Sequence, residues 1–228
     1  MSIGTATRVL AALLLVAPVA RADARARTDS TWTIIIEIAE RRVLVVGPDG
    51  DIRQVMPAAV GSGKTLQGTD QIWKFETPTG IASVAKKEKD PLWVPPDWNY
   101  IEVAASKGLG TEKLVIGRQR PLSDGRRLAI QGGFVGVMIG EDFYPLPSDE
   151  HIIFDDTLFI PPFGSKNRIV PGVLGKYRLL LSNGVGLHGT PYTESVGRAV
   201  THGCIRLHDG DIRWLYENIP IGTTVIIR

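Results

Sequence analysis

The chain has 228 residues, with 26 Lys and Arg against 24 Asp and Glu, 25 glycines, 15 prolines and one cysteine. The near balance of charge carries no clustered basic stripe of the kind a nucleic-acid surface needs, and the length sets one well-buried core or at most two small domains. A lone thiol has no partner for an intramolecular disulfide.

Arg8 is the only charge before Arg21, and residues 9–20 form an apolar run. Ala20-Arg21-Ala22 offers a small-x-small cleavage pattern, with Ala22-Asp23-Ala24 as the alternative, so residues 1–22 read as a signal peptide and the protein as exported, to a periplasm. The run falls short of the roughly 20 residues that span a bilayer, and no later stretch is long and apolar enough. No stable membrane insertion is therefore expected after cleavage, and no cysteine lies near the cleavage site to take a lipid. Losing Arg8 and Arg21 with no acid leaves 24 basic groups against 24 acidic ones.

The rest of the chain reads mostly as strand. Residues 32–38 and 42–46 are β-branched runs, and Gly47-Pro48-Asp49-Gly50 is a turn that sends residues 52–60 back as a partner strand. Gly61-Ser62-Gly63-Lys64-Thr65 resembles the end of a phosphate loop, but Ala58 stands where the leading glycine is required. The densest charge run, Lys86-Lys87-Glu88-Lys89, reads as a solvated loop, and residues 97–106 as a helix. Residues 128–139, 152–160, 176–181 and 223–227 have the same β character as the first strands. His151, among Asp149, Glu150, Asp155 and Asp156, reads as part of an acidic surface loop. Residues 209–218 carry Ile212, Leu215, Tyr216 and Ile219 at helical spacing behind an acidic start. The fold class is thus mainly β, a sandwich or partly closed barrel with a few short helices, and residues 31–228 form one domain.

The chemistry gathers late in the chain. Cys204 sits in Thr201-His202-Gly203-Cys204-Ile205-Arg206, downstream of Leu187-His188-Gly189-Thr190. A thiol attacks as thiolate, and an imidazole can take its proton. His202 is two residues away and would share a face with Cys204 in an extended segment, whereas His188 would have to arrive from an adjacent strand. Gly203 clears space before the thiol, so the N–H groups of Gly203 and Cys204 are candidate oxyanion donors. Arg206 is placed to hold a carboxylate. One thiolate with histidines two residues before it and elsewhere matches no common structural-zinc spacing, so no metal is expected; His208 has no role beyond the helix start.

Those two segments resemble the active-site signature of the L,D-transpeptidases that act on bacterial peptidoglycan. The likeness extends to the opening hairpin at residues 34–46, to Thr77-Pro78-Thr79-Gly80, and to Asp90-Pro91-Leu92-Trp93-Val94-Pro95-Pro96. By this resemblance Cys204 is the nucleophile, His188 is the base oriented by the Gly189 carbonyl, His202 and Gly203 shape the oxyanion pocket, and Arg206 holds a donor carboxylate. Thr201 stands where serine is frequent, and the segment 144–172 is longer than the family minimum, as a lid or a scaffold loop. The implied partners are peptidoglycan stem peptides and a cell-wall lipoprotein, and the implied cofactor is none. The implied reaction is acyl transfer through a Cys204 thioester with loss of the terminal D-alanine. Hydrolysis by an L,D-carboxypeptidase or amidase of the same fold and a non-catalytic wall-binding module are the alternatives. Trp93 and Trp98 are candidates to line a substrate groove.

Overall fold

A computed structural model describes Met1 and residues 31–68 and 71–228; beyond Met1, the expected signal peptide lies outside these residues. The first strands are β1 (Thr33–Glu37), β2 (Arg42–Val46) and β3 (Ile52–Pro57), followed by the short β4 (Val60–Gly61), β5 (Thr65–Gln67) and β6 (Ile72–Lys74). β7 (Gly80–Lys89) is the longest strand and leads through a proline-rich turn to α1 (Asp97–Lys107). β8 (Gly110–Lys113), β9 (Arg120–Pro121), β10 (Arg127–Gln131), β11 (Phe134–Ile139), β12 (Asp142–Pro145), β13 (Ile152–Phe154) and β14 (Thr157–Ile160) come next. The chain ends with β15 (Tyr177–Leu181), β16 (Gly186–His188), β17 (Ala199–Thr201), β18 (Ile205–Arg206), α2 (Asp209–Asn218) and β19 (Thr224–Ile227).

Eight strands form the main sheet in the order β18-β16-β15-β7-β19-β1-β2-β3. Two-residue alternation explains which face each side chain takes. Ile34 and Ile36 of β1, Val43 and Val45 of β2, Leu179 and Leu181 of β15, Leu187 of β16 and Ile205 of β18 point into one core. Ile212, Leu215 and Ile219, on the apolar stripe of α2 and just past its end, fill that core from the concave side. The mainly β expectation holds, as does the helix at residues 209–218.

The sheet is partly closed rather than open. Past β3 the chain reaches the opposite edge, where Ala59 N–H donates to Arg206 O at 2.8 Å and Arg206 N–H donates to Ala59 O at 3.0 Å. β4 then pairs in parallel with β17. Both ends of the segment that carries Cys204 are therefore held by strand pairing.

Lys86-Lys87-Glu88-Lys89 is not a loop. It is the end of β7, paired residue for residue with β15, so that Glu88 faces Arg178. Its polar residues misled because Lys86 and Glu88 lie on the face away from the core, while Lys87, opposite Leu179, carries its ammonium past the core to the Ile219 carbonyl. Residues 110–160 build a second layer of two small sheets, β12-β11-β10-β9 and β13-β14-β8. This layer has its own core of Leu114, Leu122, Leu128, Val135, Val137, Ile152 and Phe159. The segment 144–172 is a packed part of it: Asn167 accepts from Val135 N–H and donates to the carbonyls of Leu146 and Pro147.

Gly61 lies where the closure is tightest. A Cβ there would sit 2.4 Å from Thr77 N and 2.7 Å from Phe75 O, both backbone atoms that cannot swing aside. Gly61→Ala is expected to lower stability by about 1–3 kcal/mol, seen as a reduced urea midpoint. An unchanged midpoint would mean the closure at this point carries no stability.

Candidate active site

Three adjacent strands, β15, β16 and β18, present one face away from the core. Their register places Arg178 beside His188, and His188 beside Arg206. In the next row Leu180 faces Gly186, with Cys204 one residue before β18. Because Leu179, Leu187 and Ile205 take the core face, Arg178, His188 and Arg206 share the other. A Cβ on Gly186 would lie 3.7 Å from Cys204 Sγ, so the thiol rests against that bare backbone. Cys204 and His188 line one cavity of about 310 Å³ with Leu92, Trp93, Val94, Leu174 and Arg178. A larger cavity of about 570 Å³ lies between Asp97, Val115 and Phe163. It is lined by no histidine or cysteine, so the smaller one is the candidate site.

His188 is 4% exposed, and its Nδ1–H donates to the Gly189 carbonyl at 2.7 Å. That bond fixes the tautomer and leaves the Nε2 lone pair free. Burial pushes the imidazole pKa down to about 4; the Gly189 bond opposes this, and the positive charges of Arg206 and Arg178 add to it. The ring is therefore neutral at pH 7, able to take a proton but not charged at rest.

The segment carrying Cys204 is held by two threonine hydroxyls. Thr201 Oγ1 donates to Cys204 O at 2.6 Å and accepts from Gly203 N–H at 3.2 Å. Thr77 Oγ1 accepts from Gly61 N–H at 2.9 Å and donates to Gly203 O at 3.0 Å. The Gly203 N–H is thus already engaged, which removes it from the two oxyanion donors read from the sequence. The Cys204 N–H donates to no group among the described residues.

His202 also departs from expectation. Residues 202–204 bend rather than extend, and Gly203 has φ 125, a conformation open to glycine and strained for other residues. The same-face argument for His202 and Cys204 therefore lapses. The His202 ring stacks on Trp98 at 4.0 Å, meets Phe75 edge-on at 4.3 Å, and its Nε2 lies 2.9 Å from Glu102 Oε2. Its place is a brace between the cysteine segment and α1.

Arg206 is half-buried and has no carboxylate partner among the described residues. Nη1 donates to Ser195 Oγ at 3.1 Å, while the buried Nε donates to nothing. Burial lowers its pKa, opposed by Cys204, Tyr192 and Glu194, but a guanidinium stays charged in proteins. An unpaired, half-buried cation beside a thiol is ready to take an anion.

Sequence reasoning missed Arg178, although it is the only charge in the otherwise apolar run Tyr177-Arg178-Leu179-Leu180-Leu181. It noticed Thr77 only as part of a motif, and Glu102 not at all. Trp93 lines the cavity as expected, whereas Trp98 supports His202 instead.

The family described as YkuD, L,D-transpeptidase catalytic domain, matches residues 31–227. The probable L,D-transpeptidase ErfK/SrfK of Escherichia coli (strain K12) is 25% identical over 194 residues, covering 85% of this chain and 43% of that protein. The probable L,D-transpeptidase YbiS of the same strain is 40% identical over 52 residues, covering 23% of this chain and 17% of that protein. The chain spans less than half the length of these relatives. A solved L,D-transpeptidase from Mycobacterium smegmatis aligns at 22% identity with a TM-score of 0.44, covering 86% of this chain and 58% of that one.

The buried imidazole has a thermodynamic consequence. An unfolded histidine binds a proton below about pH 6.5, whereas folded His188 refuses it until about pH 4. Its contribution to stability is present above pH 6.5 and is lost as pH falls through that window, by on the order of 2–3 kcal/mol. Urea unfolding from pH 7.5 to 4 is expected to show this loss, and His188→Gln to flatten it. The partly buried His151 titrates in the same direction in both proteins and cancels from the comparison. Parallel curves would show that His188 does not titrate this way.

Proposed function

Since the chain belongs to the family of L,D-transpeptidase catalytic domains, we propose that it is an exported cysteine L,D-transpeptidase acting on peptidoglycan stem peptides. The observation that carries this reading is the shared cavity of Cys204 and a neutral, carbonyl-oriented His188. Cys204 Sγ attacks the carbonyl that joins the third-position diamino acid to a terminal D-alanine, and its proton passes to His188 Nε2. The tetrahedral oxyanion is met by the free Cys204 N–H; such donors are commonly worth about 3 kcal/mol. Collapse breaks the C–N bond, and the imidazolium returns its proton to the departing D-alanine amine.

The thioester left on Cys204 then meets an amine. His188 takes that amine's proton, the new amide forms and the thiol is regenerated. The acceptor is a second stem peptide giving a 3→3 cross-link, a lipoprotein lysine or a free D-amino acid; water gives carboxypeptidase activity instead. Arg206 binds a donor carboxylate, supported by its lack of any acidic partner among the described residues. Thr201, Gly203 and Thr77 hold the nucleophile in place, and His202 braces the same segment. The apolar run at residues 9–20 directs export, and no helix among the described residues is long and apolar enough to cross a membrane.

Incubation with disaccharide-tetrapeptide is expected to give an acyl adduct on Cys204 by intact-protein mass spectrometry, with D-alanine released. Cys204→Ala should abolish the adduct and lower release at least about a thousandfold. His188→Gln should lower kcat about a hundredfold or more, and Arg206→Ala should act mainly on KM. A 3→3 dimer among the products assigns transpeptidation, while tripeptide alone assigns hydrolysis. Folded, reduced protein that forms no adduct and releases no D-alanine would overturn the enzyme reading in favour of wall binding.

A further inference from the structure

The row of register partners that carries His188 extends beyond it. Across four neighbouring strands Glu88 faces Arg178, Arg178 faces His188, and His188 faces Arg206. Arg178 lines the same cavity as His188 and Cys204. Thiol and arginine even rest on one glycine: a Cβ on Gly186 would lie 3.7 Å from Cys204 Sγ and 3.6 Å from Arg178 Cδ. Glu88 orients the guanidinium, since its Oε2 accepts from Arg178 Nε and pairs with Nη2, while its Oε1 lies 2.8 Å from Lys86 Nζ. One acid against two cations leaves the group net positive. Arg178 Nη1 donates to nothing among the described residues.

We propose that Arg178, oriented by Glu88, binds a second carboxylate of the acyl donor, carried on the side chain of the residue whose carbonyl Cys204 attacks. The site then selects donors with a free acid at that position over those with an amide or no carboxyl there. The inference rests on the reading of Cys204 as the stem-peptide nucleophile. A guanidinium held along one edge still offers donors in a fixed planar fork, which suits a carboxylate and offers an amide or an ammonium far less. Leu180 and Leu174, beside it, supply an apolar wall for the alkyl chain between the reacting carbon and the acid. Arg206 and Arg178 on either side of a neutral imidazole fit a donor with two negative groups flanking the reacting bond. Were Arg178 only a strand-to-strand ion pair, donor choice would not depend on it.

The test uses three tetrapeptide donors that differ only at the third residue: meso-diaminopimelate with its side-chain carboxyl free, the same residue amidated, and L-lysine. D-alanine release gives kcat/KM, and calorimetry on the Cys204→Ala protein gives affinity without turnover. The wild type is expected to prefer the free acid by about tenfold to a hundredfold over the amide, mainly in KM, and Cys204→Ala to bind in the same order. Arg178→Gln should bring the three donors to within a few-fold of one another in both assays, and Arg178→Lys should keep part of the preference. Comparing donors within one protein cancels any general effect of the substitution on folding or on His188. Equal use of acid and amide by the wild type, or an undiminished preference in Arg178→Gln, would overturn the proposal. An Arg178-dependent binding preference without D-alanine release would support the carboxylate site and sink the reading of the reaction. Absence of both binding and release would sink the two together.

Discussion

Two backbone hydrogen bonds between Ala59 and Arg206 decide where the thiol stands. β18 is only two residues long, and as a free edge it would have little to hold it. With β16 on one side and Ala59 on the other it becomes an interior strand. Ordering a backbone residue costs about 1–2 kcal/mol, so a short functional segment keeps one conformation only when its polar groups are bonded on several sides. Thr77 and Thr201 complete that set, each hydroxyl both donating and accepting. The thiol is thereby positioned by sheet closure rather than by a flexible loop.

The electrostatics of the face follow from the same register. Burial and two flanking guanidinium groups hold His188 neutral, and the Gly189 carbonyl keeps its free nitrogen available. These cations disfavour an imidazolium at rest but favour a substrate carboxylate or an oxyanion brought beside it. An anionic ligand therefore raises the proton affinity of the imidazole. That couples ligand charge to the basicity of His188 through ordinary Coulomb interaction in a partly dry cavity.

The second layer reaches the site through one buried side chain. Arg168 is 2% exposed and donates to the carbonyls of Pro95 and Pro161 and to Asp97. It also lies 3.6 Å from the Phe163 ring centre. A buried cation left unpaired is strongly destabilising, whereas one with this many partners is tolerated and fixes what it touches. Here it ties the start of α1 and the proline-rich turn to the added layer. Trp93 pairs with Val170 nearby, so the wall formed by Leu92, Trp93 and Val94 is anchored to that layer as well.

Much of this was legible in the sequence, because strand alternation and helical spacing are local. Residues 34–46 showed their pairing and residues 209–218 their helix, and His188, Cys204 and Arg206, singled out by type and spacing, come together on neighbouring strands. What escaped was non-local. Lys86-Lys87-Glu88-Lys89 looked like a solvated loop because its strand partner β15 and the Ile219 carbonyl that receives Lys87 are far away in the chain. Arg178 became a candidate only when the register set it between Glu88 and His188. His202 left the face of Cys204 because the positive φ at Gly203 broke the alternation, and the Gly203 amide proved to be occupied by Thr201 only once the turn had closed. Residue type and spacing determined which groups are candidates for the chemistry. Which groups face one another was decided by strand pairing, since register joins residues far apart in the chain and leaves no mark in any one segment.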